Sequence, residues 1–299
     1  MREEELISFA REFFSQGKTF RELTEGIGDD CAVVSLDEKT DLLLTCDTLT
    51  EGTHFLKGVA PEKLAHKLLA VNLSDVAAMA GKPWLALLSF AAPKGFSRKF
   101  AEPFFRALGK EAEKYGLRII GGDCVAGEKL TLTLTMLGKV KRGEALLRSG
   151  AKAGDLVFVT GRLGGTLKSG KHLTFEPRLA EARYLREKLS PSAMMDLSDG
   201  LFEDGRKLAV SSDLTMNIQS GLVPLNRGCG LKEALTGGED FELLLTIPPE
   251  NWNERAGKNF QKRFNLELTL VGVMESGGKA ALLIDGKKRP WSGYAHFGV

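Results

Sequence analysis

The chain has 299 residues, of which 43% are hydrophobic and 27% are charged. This composition predicts a folded globular protein of one large or two smaller domains, and it excludes a mainly disordered chain. The 41 basic and 39 acidic residues leave a formal net charge of +2, which gives no electrostatic basis for a nucleic-acid partner.

Targeting and cysteine patterns also narrow the class of protein. No apolar run approaches the ~18–20 residues that span a bilayer, and the acidic segment 1–5 is not typical of a signal peptide. The cysteines lack C-x-x-C spacing, so neither a zinc site nor a disulfide framework is predicted. We therefore expect a cytoplasmic enzyme without membrane contact.

The first half of the chain alternates helix and strand patterns. Helices are predicted over residues 2–15, over residues 61–80 after Pro61, and in a segment ending near residue 115. Strands are predicted at residues 31–34, 41–47, 84–92, 117–120 and 130–136, the last with leucines alternating with threonines.

The second half repeats this mixed pattern after a polar, glycine-rich segment at residues 141–155. We place a domain junction there, which divides the chain into residues 1–140 and 141–299. Helices are predicted near residues 177–189 and from residue 200, and strands at residues 156–160, 193–197, 241–247 and 267–274. The expected fold class is α/β with α+β character.

Aspartates stand at the predicted ends of several strands. Asp29 and Asp30 precede one strand, Asp47 ends another and Asp123 follows two glycines; Asp196 and Asp199 flank a further turn. Each aspartate on its own has an ordinary interpretation as a turn former or helix N-cap. Strand ends beside glycine loops are also where ligands meet the backbone in α/β proteins, and the repetition favours that interpretation.

Asp75 is the most informative single residue. On the predicted 61–80 helix it lies in the middle of an apolar stripe formed by Leu64, Leu68, Val71 and Met79. A carboxylate that faces a core must be paired, protonated or bound to a metal. A structural salt bridge remains an alternative, although no basic residue follows on the helix before Lys82.

Converging carboxylates would need a counter-charge. Two of them ~4 Å apart repel by about 4 kcal/mol at an effective dielectric constant of ~20. Because the chain offers few histidines and no cysteine motif, a hard, oxygen-preferring cation such as Mg²⁺ fits best, and Mg²⁺ in turn favours phosphate chemistry. The segment 165–171 resembles a P-loop, but His172 replaces the required Ser or Thr, so we predict a mobile surface loop there.

A set of motifs, in order along nearly the whole chain, resembles the thiamine-monophosphate kinase family. The matching segments are GIGDDCA at 26–32, CDTLTEGTHF at 46–55, AVNLSDVAAM at 70–79, GGD at 121–123, RSGA at 148–151, MDLSDGL at 195–201, GGEDFEL at 237–243 and WSGYAHF at 291–297. The resemblance implies the two-domain fold shared with aminoimidazole ribonucleotide synthetase and selenophosphate synthetase. It also implies a homodimer formed by the N-terminal domains, with ATP in a cleft near that interface.

The resemblance further implies transfer of the γ-phosphoryl group of ATP directly to thiamine monophosphate, assisted by several Mg²⁺ ions and without a protein nucleophile. It assigns metal binding to the six aspartates Asp30, Asp47, Asp75, Asp123, Asp196 and Asp199, and further oxygen ligands to Thr45 and Cys46. Among these, Asp47, Asp75 and Asp123 would assist catalysis. It assigns ATP binding to Gly122, Asp123, Arg148 and Ser198, and substrate binding to His54, Glu239 and Tyr294.

Two positions depart from the family pattern. Cys46 stands where threonine is usual, so ligation there would come from the backbone carbonyl because a thiol is a poor Mg²⁺ ligand. Phe241 stands where tyrosine is common. The alternatives that stay open are another ATP-dependent member of the superfamily, such as an aminoimidazole ribonucleotide synthetase, a two-metal phosphohydrolase, and a non-catalytic nucleotide-binding module.

Overall fold

A computed structural model describes residues 3–14 and 20–294. The predicted helix ends at residues 2 and 15 and the motif residues 295–297 lie outside this part of the chain. Each half of the described chain contributes one six-stranded sheet. The fold is therefore the mixed α/β architecture expected from the sequence.

The first sheet has the strand order β1-β2-β3-β6-β4-β5. All of its neighbouring strands are antiparallel except β4 and β5, which run parallel. Its elements, with the helices between them, are α1 (Glu3–Phe14), β1 (Leu23–Glu25), β2 (Ala32–Ser35), β3 (Thr40–Thr50), α2 (Pro61–Ala78), β4 (Lys82–Ala92), α3 (Arg98–Lys114), β5 (Arg118–Ala126) and β6 (Thr131–Lys141).

The second sheet has the order β12-β9-β11-β7-β10-β8 and is antiparallel except between β12 and β9. Most of the connections between its strands contain a helix or a short 3-10 turn. Its elements are β7 (Leu156–Thr160), α4 (Thr166–Ser169), α5 (Leu179–Leu189), β8 (Ala193–Asp196), α6 (Leu201–Ser211), β9 (Thr215–Ile218), α7 (Leu231–Thr236), β10 (Leu243–Ile247), α8 (Glu254–Phe264), β11 (Leu268–Glu275) and β12 (Ala281–Ile284).

Helix α2 is the central element of the molecule. Its residues are buried on nearly every side, because it packs against β3 and β6 of the first sheet and also against α3, α5 and β8. Pro61 at its first turn has the backbone angle that a helix start requires. A polar side chain on α2 is therefore held between the two halves of the chain.

Several sequence predictions require correction. Strand β3 continues to Thr50 because it pairs with β6 along its whole length, so Asp47 lies inside the strand and not at its end. Strand β5 likewise continues through Gly122 and Asp123 to Ala126, in parallel register with β4.

The segment predicted as a mobile surface loop contains α4 and a 3-10 turn at Lys171–Leu173, and Thr166 within it is buried. The sequence patterns also missed the short strands β1, β9 and β12 and the helices α4, α7 and α8.

The division at residue 140 stays a prediction: β6 ends at Lys141 and the second sheet begins at Leu156. Among the described residues, no helix combines the length and apolar character needed to cross a bilayer. The cytoplasmic location also stays a prediction.

Candidate active site

A cleft of about 840 Å³ opens between the two halves of the chain. Its walls include the loop before β2, the middle of β3, the C-terminal part of α2, the segment after β8 and the loop before β10. The predicted site residues that line it are Asp30, Thr45, Cys46, Asp47, His54, Asp75, Arg148, Asp196, Ser198, Asp199, Glu239 and Tyr294.

Three aspartates from three separate elements meet on one side of the cleft. Carboxylate oxygens of Asp30, Asp75 and Asp196 all lie within 4.8 Å of one another. Neighbouring hydroxyls orient two of them: Thr45 donates to Asp75 at 2.5 Å, and Ser74 donates to Asp196 at 2.6 Å. The cluster thus joins the loop before β2, helix α2 and strand β8.

The protein environment disfavours the ionised form of these carboxylates. Burial raises the pKa of Asp75 well above its usual value, and the charges of Asp47 and Asp196 raise it further. The pKa of Asp196 is raised by burial and by the charge of Asp30. A bound cation would reverse this balance, because it attracts the ionised carboxylates.

The donor set fits Mg²⁺. Every grouped ligand atom is an oxygen, which is what a hard divalent cation prefers. Asp30 also carries a buried oxygen, Oδ2, for which the described residues offer no hydrogen-bond partner. Such an unpaired buried acceptor is costly unless something binds it.

The side chain of Cys46 does not belong to the aspartate cluster. Strand β3 alternates, so Cys46 is exposed whereas its neighbour Thr45 is buried and faces Asp75. On the outer face, Thr135 donates a hydrogen bond to the Cys46 sulfur at 3.3 Å. Metal binding through the Cys46 backbone carbonyl stays a prediction.

Arg148 provides positive charge beside the cluster. Its guanidinium forms an ion pair with Asp30, and its backbone N–H donates to Asp29 at 2.9 Å. Burial lowers the pKa of Arg148, but the charge and hydrogen bond of Asp30 and the charges of Asp29 and Asp196 together outweigh burial, so the pKa is raised overall and the side chain stays charged. The pKa of Asp29 is raised to about 7 by burial and by Asp30.

A second cation lies beside Asp199. Lys207 on α6 donates to Asp199 at 2.5 Å and to Asp204 at 3.1 Å. Asp204 is fully buried, and burial raises its pKa to about 6. Lys207 also lines the cleft, so Lys207 and Arg148 both place positive charge near the clustered aspartates.

The predicted substrate residues line the same cleft. His54 accepts a hydrogen bond from the Thr50 backbone at 3.0 Å, and Glu239 is ion-paired with Lys67. Tyr294 is 44% exposed, and its backbone N–H donates to the Asp199 carbonyl at 3.2 Å. Phe241 stacks on Phe175 with a ring-centroid distance of 4.2 Å, and its place in the cleft wall offers an apolar surface.

Gly122 and Asp123 are the predicted site residues that lie outside the cleft of this chain. Gly122 on β5 pairs with Leu88 on β4, Leu88 pairs with Leu134 on β6, and Leu134 pairs with Asp47 on β3. Three strand spacings, about 14 Å, therefore separate Gly122 from Asp47. Asp123 pairs with the exposed Ser89, whereas Asp47, two residues after the buried Thr45, lies on the same face of β3 as Thr45. The two aspartates therefore face opposite sides of the sheet.

Sequence reasoning missed three basic residues of the region: Lys67, His172 and Lys207. Lys67 carried a usable signal, because a lysine among the apolar residues of α2 indicates a buried, paired cation. Lys207 is three residues after Asp204 on one helix face. His172 had no such signal, because its partners are remote in sequence.

Comparison with known proteins shows which family the chain resembles. A family model described as "AIR synthase related protein, N-terminal domain" matches residues 28–140. Thiamine-monophosphate kinase of Buchnera aphidicola from Acyrthosiphon pisum is 36% identical, with 95% of each chain covered. The enzyme of the same name from Escherichia coli K12 is 35% identical, with 91% of each chain covered.

A solved structure described as AaThiL complexed with AMPPCP and TMP has the same overall fold. It superimposes with a TM-score of 0.85 at 31% identity, covering 99% of this chain and 97% of its own.

Proposed function

Because the chain belongs to the thiamine-monophosphate kinase family, we propose that it transfers the γ-phosphoryl group of ATP to thiamine monophosphate, giving thiamine diphosphate and ADP. Membership of this family makes the chain an enzyme of the kinase class. The observation that carries the proposal is the cluster of Asp30, Asp75 and Asp196 in a cleft that also contains Arg148. A related solved structure pairs AMPPCP with TMP, which agrees with two phosphorylated substrates.

The aspartate side of the cleft suits the triphosphate. Asp30, Asp75 and Asp196, with Asp47 and Asp199 nearby in the same cleft, would hold Mg²⁺. Bound there, Mg²⁺ would neutralise phosphate charge and hold the transferred group in position. Arg148 and Lys207 would add positive charge from the protein itself, and Ser198 would donate a hydrogen bond to ATP.

We assign a second part of the cleft, called here the thiamine side, to the thiamine portion. His54, Glu239 and Tyr294 line that side, and Glu239 presents a carboxylate whose side chain is 20% exposed. A carboxylate and aromatic rings together complement a cationic heteroaromatic ring. The substrate would then direct its phosphate toward the aspartate cluster.

The reaction needs little covalent help from the protein. The phosphate oxygen of thiamine monophosphate is already anionic, so it attacks the γ-phosphorus without a strong general base. The main obstacle is the repulsion between two anions, which Arg148 and Lys207 reduce. The chain's residues therefore act by positioning the substrates and by electrostatic stabilisation, and transfer is direct and in line.

A second copy of the chain would complete the site. Asp123 faces away from the cluster of its own chain, on the side of the sheet that exposes Ser89. Apolar side chains near it are also exposed, with Leu87, Ile120 and Val125 at 43%, 58% and 56%. A homodimer formed through this face would cover them and bring Gly122 and Asp123 to the ATP of the partner.

Chromatography of product mixtures tests the proposed function. The enzyme is incubated with MgATP and thiamine monophosphate, and thiamine diphosphate and ADP should appear in equal amounts. Unphosphorylated thiamine should be a poor acceptor, because it lacks the attacking phosphate oxygen. Release of free phosphate without thiamine diphosphate would instead support a phosphohydrolase, and ATP binding without turnover would support a binding module.

A further inference from the structure

Lys67 on helix α2 is a fully buried cation with all of its hydrogen bonds satisfied. Its side chain has 0% exposure. The ammonium donates to the His54 carbonyl at 2.8 Å and to the Glu239 carboxylate at 2.7 and 2.9 Å, and His172 Nδ1 lies 3.0 Å from it. Because an ammonium has three protons, the His54 carbonyl oxygen and the two Glu239 carboxylate oxygens can accept all of them.

The ion pair with Glu239 keeps this cation charged. Burial lowers the pKa of Lys67, and the Glu239 carboxylate opposes that effect. Conversely, Lys67 and His172 lower the pKa of Glu239 against its burial. Removing either partner would leave the other as a buried group without its counter-charge.

The groups bound by Lys67 belong to the thiamine side of the cleft. Glu239 adopts a left-handed backbone conformation, with φ of 54° directly after Gly238 at 66°. Its backbone N–H donates to the Ser198 carbonyl at 2.7 Å. The backbone and the carboxylate of Glu239 are therefore both fixed, the carboxylate by Lys67.

The segment that resembled a P-loop also contacts this ion pair, through His172. His172 Nδ1 lies 2.9 Å from Glu239 Oε2 as well as 3.0 Å from Lys67. The adjacent Lys171 pairs with Glu242 at 3.3 Å, and Glu242 also receives Arg178 at 2.6 Å. The turn at Lys171–Leu173 is therefore held by the contact of Lys171 with Glu242 and by the contact of His172 with Glu239.

Resting on the proposed function, we propose that Lys67 is a positioning residue for thiamine monophosphate: it fixes the Glu239 carboxylate and the backbone at His54 for this substrate. Since Lys67 has no exposed surface, it does not touch the substrate and acts only through these groups. Asp75 lies eight residues further along α2, about 12 Å away. Lys67 should therefore affect the thiamine side of the cleft and leave ATP binding unchanged.

Steady-state kinetics of Lys67→Met test this role. Loss of a charge-assisted hydrogen-bond network should raise KM for thiamine monophosphate about 10- to 100-fold. The KM for MgATP should stay within about twofold. Lys67→Gln, which keeps hydrogen-bond donors without the charge, should give an intermediate increase.

The matched control is His66→Gln on the same helix. His66 also bridges α2 to the second half of the chain, through the Phe175 carbonyl at 2.8 Å, but it does not contact Glu239 or His54. Its KM values should stay near those of the wild type. Equal increases in both KM values for the Lys67 variants, or failure of both variants to fold by circular dichroism, would show a structural role and overturn the proposal.

A double-mutant cycle shows whether Lys67 acts through Glu239. If it does, Lys67→Met should change KM for thiamine monophosphate by no more than about threefold in a Glu239→Gln background. Fully additive effects would contradict the proposal. Wild-type turnover with unchanged KM in Lys67→Met overturns this inference alone, whereas a wild type that neither binds nor phosphorylates thiamine monophosphate overturns the proposed function as well.

Discussion

The carboxylate of Asp75 carries a charge that its surroundings stabilise poorly. Burial and the charges of Asp47, Asp196 and Asp30 raise its pKa, and the hydrogen bond from the Thr45 hydroxyl lowers it. Such an arrangement costs stability in the metal-free protein, because ionised carboxylates repel one another at short range. A cluster of repelling carboxylates is expected at a site that binds a cation and phosphates, because the cation offsets the repulsion.

Replacement of this residue separates function from stability. Asp75→Asn keeps the shape but removes one negative charge, so we expect kcat to fall by at least about 100-fold. The metal-free variant should unfold at the same temperature as the wild type or above it, because repulsion in the cluster is reduced. Product formation and thermal unfolding measure the two effects.

The control for this change is Asp37→Asn in an exposed turn. The Asp37 side chain accepts a hydrogen bond from the Lys39 backbone at 2.8 Å, and an asparagine oxygen accepts equally well. Both activity and unfolding temperature should match the wild type. Near-normal turnover in Asp75→Asn would show that Asp75 is structural.

At the scale of elements, the sequence predicted helix α2 more accurately than the lengths of the strands that carry Asp47 and Asp123. The apolar stripe of α2 placed Asp75 correctly toward the interior, because helical periodicity depends only on local sequence. The lengths of β3 and β5 depend on pairing with β6 and β4, which are remote in sequence. Sequence patterns therefore placed Asp47 and Asp123 at strand ends that the folded sheet extends past.

The contacts of Lys67 likewise could not be predicted from local sequence patterns. A buried lysine on α2 is visible in the sequence as a polar residue among apolar ones. Its partners, at residues 54, 172 and 239, meet only through the packing of α2 against the second half of the chain. No periodicity within one element indicates such contacts.

Gly122 is required for the close pairing of β4 and β5. A Cβ at this position would lie 1.7 Å from the Leu88 carbonyl oxygen, and φ is +152°. Gly122→Ala should therefore destabilise the protein by about 2 kcal/mol or more, because backbone must shift to relieve the overlap. Urea unfolding measures this difference.

Gly127→Ala serves as the control at the end of the same strand. A Cβ at Gly127 would meet its nearest neighbour, the Ala91 side chain, at 3.5 Å, which is ordinary contact. Its stability should stay within about 0.5 kcal/mol of the wild type. Equal stability for both variants would contradict the close approach at Gly122.

At the scale of the whole molecule, the proposed homodimer makes the active site a shared one. Light scattering at micromolar concentration should give twice the mass of one chain. If Asp123 acts on the partner's site, co-expressed Asp75→Ala and Asp123→Ala chains should regain activity, because each mixed dimer contains one intact site. Random pairing would restore about one quarter of wild-type activity.

The separate variants control this experiment, since each homodimer lacks an intact site and should be nearly inactive. Mixed chains without recovered activity would place Asp123 and Asp75 in the same site of one chain. A mass of one chain in solution would contradict the dimer itself. The two measurements therefore test assembly and sharing independently.

The geometry of the complete site bears on how the phosphoryl group moves. A phosphorylated intermediate on the protein would need a nucleophile in the cleft that is not otherwise engaged. His54 accepts a hydrogen bond from the Thr50 backbone at Nδ1, His172 contacts Lys67 and Glu239, and His66 contacts the Phe175 carbonyl; His296 lies outside the described residues. The clustered aspartates would be poor nucleophiles when their oxygens bind a cation.

Direct transfer therefore remains the simplest chemistry, with the substrate's phosphate oxygen as the nucleophile and Arg148 and Lys207 reducing the repulsion between the two anions. A single in-line displacement inverts the configuration at the γ-phosphorus, whereas two successive displacements retain it. ATP made chiral at a thiophosphoryl γ-group should give thiamine diphosphate of inverted configuration, as read by phosphorus NMR after stereochemical analysis. Net retention would demonstrate a covalent phosphoenzyme and exclude direct transfer.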